Sequence, residues 1–442
     1  MIDWRKYPFV RIFLPFLFGI VAGAFLAIQK GMGGHIAGII FGVGKFDKLN
    51  TPLLLILIVL VCILLLSRGR AGKQYIWSLL FRFSAYLLFF LFGFLLSFRS
   101  HSAVFAQYGD RYSYYIYNNN IMQSEKAMEL RDLMQMKFHA SRPDKDEEKA
   151  LAEAMSIGYR HGISKEVRQQ FSASGLSHLL ALSGFHISII YLLFSSLFVW
   201  ARGSVAGRNL TGILVLMFLW GYAFLTGMSP SIVRAVIFCT ITELCIIMQG
   251  DVRLINSCAL AAFIILLIEP LMIGHIGFQL SFTSVIGISL LYKRIPRNYL
   301  LSLLSITLIC TVFTFPLIAY HFGSVPVYGL LSNILAAIPA YSIVFCSALW
   351  WILTLIGLPA MWLLHIIIYM ASILMSIAHI VSSLPYATIA YSPTVPETLL
   401  WYMVILSAVT LCHKITARRI ILFLSGIEIL LVYFILHALF FK

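Results

Sequence analysis

The stretch Ser174-Gly175-Leu-Ser177-His178-Leu-Leu-Ala-Leu-Ser183-Gly184-Phe185-His186-Ile187 decides how the chain is read. Two histidines, three serines and two glycines stand at the head of an apolar run that continues to Trp200. A segment that only had to sit in lipid would not need them, because every polar group there must find a partner. The stretch also follows the one long polar region of the chain, so it marks a junction between an aqueous phase and a membrane. That junction is the candidate working centre.

Composition supports a membrane around it. Of 442 residues, 61% are hydrophobic and only 11% charged, which places the chain among polytopic membrane proteins. A net charge of +15 would suit a nucleic-acid binder, but its distribution along the chain carries more information than its total. The seven cysteines lie scattered in apolar runs with no Cys-x-x-Cys pair, so they read as packing residues and give neither a disulfide framework nor a metal site. Arg5 and Lys6 precede a full-length apolar run with no small-residue cleavage site after it, which predicts an uncleaved first span.

About thirteen spans are predicted. They fall near 8–28, 52–67, 76–98, 179–200, 210–226, 232–249, 254–269, 276–292, 299–318, 326–352, 358–384, 398–412 and 420–440. The glycine-rich patch 34–43 is too short to cross and reads as interfacial or re-entrant. Residues 99–170 form a polar insert, with amphipathic helices predicted at 122–138 and 145–157. Acidic residues 144–148 read as a solvated first helical turn that complements the helix dipole, not as a metal site.

With the N-terminus in the cytoplasm, every strongly basic short loop (68–73, 202–208, 293–297, 414–419) falls inside. The turns 226–231, 269–275, 321–325 and 383–397 carry no Lys or Arg and fall outside, as do the 99–170 insert and the face bearing His178. Much of the positive charge is therefore topological. The organisation predicted is an N-terminal membrane region of about three spans (1–98), an extracytoplasmic helical linker (99–170) and a core of about ten spans (171–442).

Four later clusters place polar residues near span ends. In Leu225-Thr-Gly-Met-Ser-Pro230-Ser231-Ile-Val-Arg234, a proline opens a helix and Arg234 lies about one turn inside it. Arginine there calls for a carboxylate, an anionic substrate or water, or else it snorkels to the surface, and a helix N-terminus with Ser231 and Arg234 suits a phosphate. Glu243, nine residues on, lies on the opposite helix face, so the two are not predicted to pair. It is expected to face a cavity or to be protonated. Glu428 in the last span has no evident role.

Gln279 and Ser281 line a path or act as interhelical glue. The run 326–352, with Pro326, Gly329, Asn333 and Pro339, predicts a broken helix bordering a cavity. For the first stretch three roles are open: lining a path, close packing, or a Ser183–His186 nucleophile pair at i,i+3. His178 and His186 would stand about 12 Å apart along a helix, too far to share a metal. Neither a Walker A loop nor a His-Glu-x-x-His motif is present.

These residues resemble the signature of the ComEC competence family of DNA-uptake channels. The resemblance runs through Phe171-x-x-x-Gly175-x-x-His178-Leu-Leu-Ala-x-Ser183-Gly184-x-His186 and Leu225-Thr-Gly-x-x-Pro230-Ser231-x-x-Arg234-Ala. It continues through Glu269-Pro270, then Gly277-Phe-Gln279-Leu-Ser281-Phe, and Gly323 through Asn333 to Pro339, in the family's order over residues 154–352. Trp4-Arg-Lys-Tyr-Pro8 is similar to the family's opening.

The resemblance implies an all-α polytopic inner-membrane channel that passes single-stranded DNA inward during transformation. His178, Ser183, Gly184, His186, Ser231, Arg234, Glu243, Gln279, Ser281 and Asn333 would line or shape its path. No cofactor or metal is implied. Family members carry an outward OB-type domain and often a C-terminal nuclease-like domain. Here residues 99–120 are too few for an OB barrel and no His-x-His-x-Asp-His motif occurs, so a separate receptor, nuclease and helicase-type motor are expected as partners. A homo-oligomer is a further expectation. The competing readings are a transporter of a smaller anionic or lipid-linked solute and an intramembrane serine hydrolase.

Overall fold

The computed structural model describes residues 8–32, 85–94, 96–97, 146–160, 162–249, 253–355, 358, 360–413 and 415–440. It is an all-α polytopic architecture. Among the described residues seven helices are long and apolar enough to cross a membrane, and four shorter apolar helices accompany them. The predicted span 52–67, the patch 34–43 and the helix at 122–138 lie outside the described residues.

Two compact units are present. The first contains α1 (Pro8–Met32), α2 (Ala85–Phe94) and α3 (Leu254–Ile268). Its helices meet through glycine: a Cβ on Gly19 would stand 1.9 Å from the Phe90 carbonyl oxygen, and one on Gly93 would stand 2.2 Å from that of Phe16. Backbones approach this closely only where no side chain intervenes. Phe16 is fully buried between Phe92 and Phe263, and Arg11 donates to the Tyr86 hydroxyl at 3.0 Å.

The second unit begins with α4 (Asp146–Ile157) and α5 (Lys165–Ala173) and continues through α6 (Gly184–Leu197), α7 (Val205–Leu225) and α8 (Pro230–Ile247). After α9 (Ile276–Leu291), which begins in the first unit and continues into the second, come α10 (Tyr299–Phe322), α11 (Gly329–Leu355), α12 (Met361–Ser382), α13 (Val395–His413) and α14 (Ala417–Phe440). One apolar cluster joins α4 and α5 to α11 and α12; a second joins α6, α7, α8 and α11. Thr240, Thr242, Thr307, Thr314 and Ser342 each donate to the carbonyl four residues back, so these hydroxyls need no cavity.

The structure revises three expectations. α4 matches the predicted helix in position, but it has no broad solvated face: residues from Lys149 to Ile157 are buried, Lys149 and Glu153 included. Its place against α11 and α12, with the Tyr222 hydroxyl donating to the Ser156 carbonyl at 2.8 Å, explains why. A polar sequence masked this burial, because alanines and Leu151 supply close packing without high hydrophobicity. Secondly, the run expected as a broken helix is continuous from Gly329 to Leu355 and accommodates Pro339. Thirdly, the span expected from 179 starts only at Gly184 and ends at Leu197.

Short strands β1 (Ser324–Pro326) and β2 (Thr388–Ala390) pair antiparallel, Ser324 opposite Ala390. The ribbon ties together two turns that charge distribution had assigned to one side. A Cβ on Gly175 would touch Pro326 and Gly329, so the stretch preceding α6 stands at the same end.

Candidate functional site

Residues 174–183 form the non-helical entrance to α6. α5 is capped by Ser164, whose hydroxyl accepts from the Val167 amide at 3.2 Å, and it ends where Gly175 takes φ +79°. That left-handed turn favours glycine. A 3-10 turn over Ser177–Leu179 follows, and Ser183 becomes the extended N-cap of α6. Its backbone N–H donates to His186 Nδ1 at 3.1 Å, and its hydroxyl lies 3.1 Å from the same nitrogen. The Ser183–His186 pair is thus a capping arrangement.

His186 is completely buried, and its Nε2 has no hydrogen-bond partner. No carboxylate bonds the imidazole among the described residues, so the ring lacks the orienting acid of a Ser–His–acid triad. His178 was expected about 12 Å away on a shared helix. Because the chain turns instead of coiling between 180 and 183, His178 and Arg160 both come within electrostatic reach of His186. His178 is exposed along one side, while the protein packed around its ring lowers its pKa, opposed by a backbone hydrogen bond with Gly175. Gly184 is exposed, and a Cβ there would make only ordinary contact with Ala235.

α8 starts at the same end. Gly227 and Met228 both take left-handed φ in the turn before it, and Pro230 occupies its first position, where no amide partner is needed. The Ser231 hydroxyl donates to the Leu182 carbonyl, fastening α8 to the entrance of α6. One turn on, Arg234 is 4% exposed, and its Nε and Nη1 have no acceptor. No hydrogen bond or ion pair reaches this guanidinium from the described residues.

Glu243 has the opposite circumstances. It is fully buried near the far end of α8, and Arg202 Nη2 meets Oε1 at 2.9 Å while the Tyr191 hydroxyl donates to Oε2 at 2.7 Å. The expectation that it faces a cavity is replaced by a partnered carboxylate. Gly212 permits the fit, since its Cβ would stand 3.1 Å from Oε1. As the nine-residue spacing implied, Glu243 and Arg234 do not pair.

The remaining candidates are dispersed. Gln279, in the first unit, donates to the Ile273 carbonyl at 3.0 Å across a 3-10 turn over Pro270–Gly274. Ser281 is exposed and Asn333 half-buried on α11, both in the second unit. Within that unit the structure brings His178, Ser183, Gly184, His186 and Ser231 to one end and separates Glu243 from them. Sequence reasoning missed Arg160, Arg202 and Tyr191. The only signal for Arg160 was its setting in Gly158-Tyr-Arg-His-Gly162; Arg202 was read as topological charge alone. Among the described residues no group of three or more His, Cys, Asp or Glu could hold a metal.

A model of the Competence protein family matches residues 155–415. ComE operon protein 3 of Bacillus subtilis (strain 168) is 29% identical over 199 residues, 44% of this chain and 25% of the relative. An uncharacterized protein of Aquifex aeolicus (strain VF5) is 28% identical over 232 residues, 52% of each. The chain therefore spans between a quarter and about half the length of these curated relatives. No solved structure matches it.

Proposed function

Because the chain belongs to the Competence protein family, we propose that it is a membrane channel passing single-stranded DNA into the cytoplasm during natural transformation. The observation that carries this reading is Arg234. An arginine buried to 96% without an acid is expensive, and an arriving anion offsets that cost. A phosphodiester passing the N-terminal turns of α8 supplies that anion. Ser231 holds the turn in register with the entrance of α6, while His178 and His186 bound the outer approach.

In this proposal the N-terminus is cytoplasmic, the membrane is the bacterial inner membrane, and the end bearing the β1–β2 ribbon faces outward. Gln279, Ser281 and Asn333 are polar wall residues. A separate receptor captures DNA, a separate nuclease removes the second strand and a helicase-type motor pulls the strand; self-association of the channel is also proposed.

The test is transformation frequency in a deletion strain complemented with wild type, Arg234→Ala or Arg234→Lys at matched membrane levels. Loss on deletion, rescue by wild type, failure of Arg234→Ala and partial rescue by Arg234→Lys are expected. Unchanged transformation in the deletion strain would remove the DNA reading and leave the same guanidinium to a smaller anionic or lipid-linked solute.

A further inference from the structure

The His186 ring has its tautomer set by its own helix cap. The Ser183 backbone N–H donates to Nδ1, and a nitrogen that accepts in this way carries no proton, so the neutral ring holds its hydrogen on Nε2. That donor is buried in a side chain with 0% exposure and meets no acceptor. Buried donors are almost always satisfied.

What surrounds it includes a fixed positive charge and a second imidazole. Arg160 and His178, both exposed, are the charged or titratable groups of the described residues that bear on the His186 ring. Arg160 is held in place locally. Arg168 donates to its carbonyl at 2.8 Å, and Gly158, at φ +78°, seats the turn against Leu182, four residues before His186. A Cβ on Gly158 would stand 2.6 Å from Leu182 Cδ1, so the two segments are closely apposed. Arginine stays charged at any working pH. The first turn of α6 adds its dipole.

We propose that Arg160, His178 and the Nε2–H of His186 form an outer phosphate-receiving recess, occupied by a non-bridging oxygen of a phosphodiester before the strand reaches Arg234. The assignment of the phosphate to DNA rests on the channel reading above; the recess itself requires only a phosphoryl oxygen. Ser183 is its positioning residue, because it fixes which ring nitrogen is the donor.

The test uses the full chain in lipid nanodiscs, with fluorescein-labelled dT12 and inorganic pyrophosphate as probes. His186→Asn can keep an acceptor for the Ser183 amide but places no donor at the Nε2 position. His186→Gln brings an amide donor to the Nε2 position, and its carbonyl oxygen can still accept from the Ser183 N–H as a capping-box residue. The recess predicts about tenfold weaker dT12 binding for His186→Asn and for Arg160→Gln, near-normal binding for His186→Gln, and competition by pyrophosphate. Arg160→Gln should also lower the slope of log affinity against log salt by about 0.7, the value for one single-strand phosphate contact.

A helix cap alone predicts equal binding by His186→Asn and His186→Gln, and that outcome, or unchanged binding in all three variants, would overturn the recess while leaving the channel intact. Pyrophosphate binding that depends on Arg160 and His186, without dT12 binding, would uphold the recess and overturn its assignment to DNA. Normal melting of each variant separates these outcomes from misfolding.

Discussion

Removing Arg202 should destabilise the second unit far more than its place in a basic loop suggests. Its Nη2 lies 2.9 Å from Glu243 Oε1, with side-chain exposures of 21% and 0%, and among the described residues the other partner of that carboxylate is the Tyr191 hydroxyl at 2.7 Å. Breaking a fully buried pair from one side costs about 3–5 kcal/mol, because the surviving charge is stranded. Arg202 keeps some water contact, so about 2–3 kcal/mol is expected for Arg202→Met, a shift of roughly 30- to 150-fold in the folding equilibrium. Glu243→Leu should cost less, since the partner it abandons can turn to solvent, and the double variant should resemble Glu243→Leu alone. Equilibrium unfolding in mixed detergent micelles, followed by tryptophan fluorescence, measures the cycle. A coupling energy below about 0.5 kcal/mol, or Arg202→Met unfolding like wild type, would refute the clamp and return Glu243 to the path as a candidate proton relay.

Further outcomes follow from other contacts. In a cysteine-free background, Ser324→Cys with Ala390→Cys should form a disulfide on mild oxidation, seen as a mobility shift, because the two positions face each other across the ribbon. An impermeant maleimide should label Ser177→Cys and Ala390→Cys in intact cells, and Arg418→Cys only after permeabilisation; the opposite pattern would invert the topology. Gly19→Leu should abolish accumulation of folded protein in membranes, since even a Cβ there collides with a backbone carbonyl that has no rotamer to yield. Ala152→Glu on α4, at 0% exposure, should lower the unfolding midpoint sharply, whereas Glu147→Ala on its exposed side should not.

Helix positions were legible because lipid demands long apolar runs and closes them with proline, glycine and charge, as the pairs Pro230–Ile247 and Ile276–Leu291 show. That the turns near 325 and 389 lie together was legible too: the ribbon joins two segments that the basic-loop count had placed on one side. Pairing within the bundle was not. A run of sequence states that Arg234 and Glu243 are both charged and nine residues apart; it does not state that Glu243 finds Arg202 and Tyr191 while Arg234 finds no partner among the described residues.

α4 was misjudged for a related reason. Hydropathy records what a side chain prefers in isolation, whereas Lys149 and Glu153 are buried by what α11 and α12 place around them. The residues of the entrance at 174–186 were visible as polar anomalies, yet their arrangement depended on Gly175 and Ser183 ending one helix and starting the next. That geometry turns a supposed Ser–His pair into a cap, and by doing so it fixes the free hydrogen of His186 on the nitrogen that has no partner. The polar anomaly and the helix punctuation are thus one feature: the residue that starts the helix also sets which nitrogen of His186 carries the hydrogen.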